Sequence, residues 1–147
     1  MSDVFAVDLA LDLTPTVPRA VLDHLRRHLG LDDADDGSGA VEDVPDFVAL
    51  LAGRGPAVRI GGVLTAELLQ GHGQWSLTAR QEIHAEFLPE LDALVEMLAF
   101  NAKTEGVIGQ VRFHEDDIPE LFVNRAGTLV RVHLRAADPS VSQPLTN

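Results

Sequence analysis

The stretch VFAVDLALDL, residues 4–13, alternates without a break. Phe5, Val7, Leu9, Leu11 and Leu13 fall on one side, and Ala6, Asp8, Ala10 and Asp12 on the other. A period of two with a single apolar face is the mark of a strand that buries one side and exposes the other. Thr14 and Pro15 break the alternation, and Pro18 suits a first helical turn. Val21, Leu22, Leu25 and Leu29 then form an apolar stripe at helical spacing, and Gly30 ends it.

The same reading extends along the chain. Residues 31–43, LDDADDGSGAVED, form a polar, acidic linker loop inside the domain. A short inserted helix is expected from Pro45 to Ala52, and a short strand over residues 57–60. VLTAELLQ (63–70) and WSLTARQEIH (75–84) read as paired strands joined by the turn GHGQ. Leu91, Leu94, Val95 and Leu98 mark a second long helix, opened by Pro89 and running to about Ala102. VIGQVRFH (107–114) reads as a further strand. Its alternation puts Val111, Phe113 and Gly109 on the apolar side and Ile108, Gln110, Arg112 and His114 on the other. ELFVN and TLVRVHL flank Arg125–Ala126–Gly127 as a C-terminal hairpin. One α+β domain over residues 1–135 and a flexible tail over 136–147 are expected.

The element order β-α-β-β-α-β resembles the ferredoxin-like fold, the split βαβ plan. The resemblance covers residues 4–114. It implies an antiparallel sheet with its helices on one face and the first strand lying between the third and fourth strands of that plan. It implies no function by itself. The open face would then gather Asp8, Asp12, Arg80, Glu82, His84, Gln110, Arg112 and His114, with Ala6 and Ala10 leaving a hollow between them. The two arginines suit a small anionic ligand, a carboxylate or phosphate. A histidine titrating near neutrality could move a proton. A ligand site requires Arg80, His84, Arg112 and His114 to converge on one concavity. Otherwise the face is a solvated or dimer-covered sheet laced with ion pairs, such as Arg80 with Asp8 and Arg112 with Asp12.

Composition narrows the classes. The 147 residues carry 23 Asp and Glu against 11 Lys and Arg, a net charge of −12 that opposes phosphate backbones and anionic lipid as partners. Residues 31–46 hold seven of the acidic residues and 115–120 four, with no base in either segment. There is no Cys, which removes thiolate chemistry and Cys-based metal sites. No His-Glu-x-x-His, Walker loop or nucleophile elbow is present, and no metal or cofactor is expected. The segment 32–43 lacks the ligand pattern of an EF-hand, with Ala34 and Asp43 at ligand positions. His24 and His28, four apart on a helix, read as exposed polar residues. The N-terminus lacks the basic region of a signal peptide, so a cytoplasmic protein is expected. Catalytic residues are not legible. The reading that follows is a non-catalytic, homodimeric α+β binding or interaction module. A cofactor-independent small-molecule enzyme or sensor using the charged sheet face is the alternative. An acidic inhibitor or immunity-type protein is the third.

Overall fold

A computed structural model describes residues 3–31 and 47–134. The acidic residues 32–46, with the calcium-loop comparison made for them, and the expected tail lie outside the described residues. The elements run β1 (Val4–Asp12), α1 (Arg19–His28), β2 (Gly55–Pro56), β3 (Val63–Gly71), β4 (Gln74–His84), α2 (Leu88–Phe100), β5 (Gly106–Phe113), β6 (Glu120–Arg125) and β7 (Thr128–His133). The strands form one antiparallel sheet in the order β2-β3-β4-β1-β5-β6-β7. The fold is therefore α+β, with the alternating strand β1 central and paired to β4 and β5.

Both helices lie on the same side of the sheet. Leu22 and Leu25 of α1 and Leu91, Leu94, Val95 and Leu98 of α2 share one buried cluster with Val7, Leu9 and Leu11. This is the apolar side that the alternation marks. Two tight hairpins fix the strand register. His72 and Gly73 both have positive φ between the paired Gly71 and Gln74, and Ala126 and Gly127 do the same between Arg125 and Thr128. Positive φ at both central positions matches the right-handed twist of the flanking strands.

Three expectations need correction. Residues 47–52 form no helix: Phe47 to Ala49 are irregular and residues 50–51 make a turn. The segment is held instead by α1. The Leu51 N–H donates to the His28 carbonyl (2.9 Å) and the Leu50 N–H to His28 Nδ1 (3.1 Å). The short strand sits at Gly55–Pro56 rather than 57–60. Ile108 is buried in the core, not on the charged face, because the β5–β6 register shifts between Val107 and Gly109. This bulge sets Val107 and Ile108 out of step with the alternation farther along the strand. None of the helices is long and apolar enough to cross a membrane, among the described residues.

Candidate functional site

The open face is shaped by the chain between β2 and β3. Leu50 and Leu51 pack in the helix-side core, β2 then pairs along the sheet edge, and residues 57–62 cross onto the opposite face. There Ile60 packs on Val4 and Ala6, leaving Ala6 only 2% exposed. Val4 and Ala6 would otherwise be apolar residues on a solvated surface. The crossing chain is a strap, and Gly61 and Gly62 permit its return through positive φ.

Two of the expected site residues hold this strap. Glu82 Oε2 accepts from the backbone N–H groups of Arg59 (2.6 Å) and Ile60 (3.2 Å). Arg80 Nη2 donates to the carbonyls of Ile60 (3.2 Å) and Gly61 (3.0 Å). Its Nη1 donates to both oxygens of Asp8, at 3.2 and 3.3 Å. Asp8 and Arg80 are directly opposite in the β1–β4 register, so the pairing is a cross-strand one.

The remaining candidates are spread over the face. Arg112 does not reach Asp12. Its Nη1 donates to the Asp116 carbonyl (2.7 Å), closing the turn after β5. Asp12 accepts from Ser76 Oγ (2.6 Å) at the other end of β1. His84 is exposed opposite Val4, and His114 lies against the Phe113 ring with Nε2 3.8 Å from Glu115. The hollow expected between Ala6 and Ala10 is half filled, because Ile60 occupies the Ala6 end.

What is left is a groove of about 410 Å³ over β3, β4, β1 and β5. Ala10 and the Gly109 backbone lie at its floor, and Asp8, Thr65, Thr78, Arg80, Gln110 and Val107 line it. Of the eight sequence candidates, the groove brings together Asp8, Arg80 and Gln110. Asp12, Glu82, His84, Arg112 and His114 lie outside its lining. Thr65, Thr78 and Val107 were missed as lining residues. Thr78 shares the alternation of 75–84 with Arg80, so its place on this face follows from the sequence pattern, but Val107 reaches the face only through the bulge.

A second feature lies on the helix side. His28 is 4% exposed, and its ring meets His24 edge-on and Phe47 at 4.8 Å. Burial, aided by the charges of His24 and Arg27, pushes its pKa down to about 4. Burial, then Arg27, also lowers His24. A neutral ring is what the Leu50 hydrogen bond requires, since Nδ1 must be an acceptor. The expectation that both histidines are exposed polar residues is corrected here: His28 is a structural acceptor. Among the described residues no three His, Asp or Glu side chains converge as metal ligands would. No family model matches this sequence, and neither a curated protein nor a solved structure shows a significant match to it.

Proposed function

We propose that this chain is a non-catalytic interaction module that works as a homodimer, and that β5, β6 and β7 supply its self-association surface. The unit β1-α1-β3-β4-α2-β5 is read as a ferredoxin-like domain carrying an added hairpin. One observation carries the reading. Val107 pairs with Val123, Val123 with Val130, and Leu121 with Val132, which sets five aliphatic side chains on the open face of this flank. Val107 is 54% exposed, and the other four are half-buried and belong to neither apolar cluster among the described residues. Contiguous aliphatic patches on a soluble domain favour a protein partner.

A second copy fits this patch for an electrostatic reason. The chain carries −12 overall, so most approaches between two copies are repulsive. Eleven of those charges come from residues 31–46 and 115–120. The open face has its Asp8 and Arg80 paired internally, and the β5–β7 flank presents aliphatics there. It is a surface on which two like-charged chains can meet. The alternative of an enzyme has less support, because His84 and His114 stand outside the groove.

Light scattering over a concentration series tests the proposal. The expected mass is twice the 15.8 kDa of the chain, returning to one chain in Val130→Glu. Leu69→Glu, an exposed position on the opposite flank, should leave the dimer intact. A single-chain mass at every concentration, or dissociation by Leu69→Glu alone, overturns it.

A further inference from the structure

The groove beside that flank shares Val107 with it and carries a second reading. We propose that it binds a small neutral polyhydroxylated molecule, a monosaccharide or cyclitol, across β4, β1 and β5.

Charge decides the class. The anionic ligand expected from the sequence needs free guanidinium donors. Arg80 has one terminal nitrogen on Asp8 and the other on the Ile60 and Gly61 carbonyls, and Arg112 is turned away to Asp116. Asp8, the acidic residue of the lining, is already neutralised by Arg80, so a cation gains no net charge there. The groove sets a few polar groups on a mostly apolar lining and leaves no charge unpaired in it.

Its polar groups suit hydroxyls. The Asp8 carboxylate takes hydrogen bonds from Arg80 Nη1 and retains acceptor capacity toward the groove. The Thr65 and Thr78 hydroxyls and the Gln110 amide can each both donate and accept. Ala10 and Val107 offer small aliphatic surface for the C–H faces of a ring. A volume of about 410 Å³ lies within the range of small-molecule sites.

The test uses the full chain with myo-inositol and glucose as probes, followed by amide chemical shifts. Saturable shifts are expected at Asp8, Ala10, Thr78, Arg80 and Gln110, with dissociation constants on the order of millimolar. Thr78→Val should weaken binding by roughly threefold to tenfold by removing one hydrogen-bonding hydroxyl. Ala10→Leu should abolish it by filling the floor. Distant amides unchanged in both variants establish that the fold is kept. No saturable shift with either probe, or undiminished binding in Ala10→Leu, overturns the proposal. So does equal or tighter saturation by inorganic phosphate, which would restore an anion site. Val130→Glu, which tests self-association, should leave these shifts in place, so the two readings fail separately.

Discussion

Gln81 faces the core from β4 and closes a two-way hydrogen-bond pair with the backbone of Gly53. The Gly53 N–H donates to Oε1 at 2.9 Å, and Nε2 donates back to the Gly53 carbonyl at 3.1 Å. The same Nε2 reaches the Thr65 carbonyl at 3.0 Å. A 3% exposed amide thus ties the chain entering the strap to β3. Gln81→Leu keeps the volume and strands these backbone groups. A loss of about 2–3 kcal/mol is expected in urea denaturation. Gly53→Ala should also destabilise, because its Cβ would lie 2.7 Å from Oε1.

The strap should come loose before the sheet does. Glu82→Ala removes the acceptor for the Arg59 and Ile60 N–H groups while leaving β4 paired. Hydrogen exchange at residues 57–62 should quicken by about tenfold or more, with a smaller fall of about 1 kcal/mol in global stability. Exchange rates equal to the parent's would show that Ile60 packing and the Arg80 hydrogen bonds hold the strap without Glu82.

Gly109 is expected to be intolerant of any side chain. Its missing Cβ would meet the Asp8 carbonyl at 2.5 Å and Leu9 Cδ2 at 2.7 Å, and the first of these is backbone that cannot step aside. Gly109→Ala should cost about 2 kcal/mol or more in thermal or chemical unfolding. A neutral result would mean that β5 can shift away from β1.

Acid should weaken the fold through His28. Its pKa is about 4 when folded and about 6.5 when unfolded, so the unfolded chain binds more protons between those values. The stability it contributes is complete above about pH 6.5 and is lost progressively as pH falls toward 4, on the order of 2–3 kcal/mol. The lowered His24 acts in the same direction. His28→Leu should flatten this part of the pH profile and lower stability at pH 7 by about 1–3 kcal/mol, because the Leu50 N–H loses its acceptor. A profile unchanged in the variant would assign the acid sensitivity to other groups.

The long strands and the two helices were legible because they rest on local periodicity, which the failed assignments at 47–52 and 57–60 lacked. Residues 4–13 alternate, 91–98 repeat at helical spacing, and both two-residue turns carry Gly as their second residue. The candidate site was legible only as a set of residues sharing one face. Which of them remain available depends on a segment with no periodicity. Residues 57–62 turn Arg80 and Glu82 into anchors, and nothing in RGPAVRIGG announces that Ile60 will seat on Ala6. Ile108 escaped for a related reason: a bulge is one residue of backbone geometry, and alternation assumes that it is absent. His28 escaped because a histidine at a stripe's margin reads alike whether it meets water or the Leu50 amide.

The anchoring of residues 50 and 51 on His28 joins two distant parts of the sequence at one residue. The described chain stops at Leu31, just past α1, and is described again from Phe47, whose ring lies 4.8 Å from that of His28. The Leu50 and Leu51 N–H groups both bond to His28. One residue of α1 therefore fastens the last turn of the helix and the segment that leads to β2, so a change at His28 reaches two places far apart in the sequence at once.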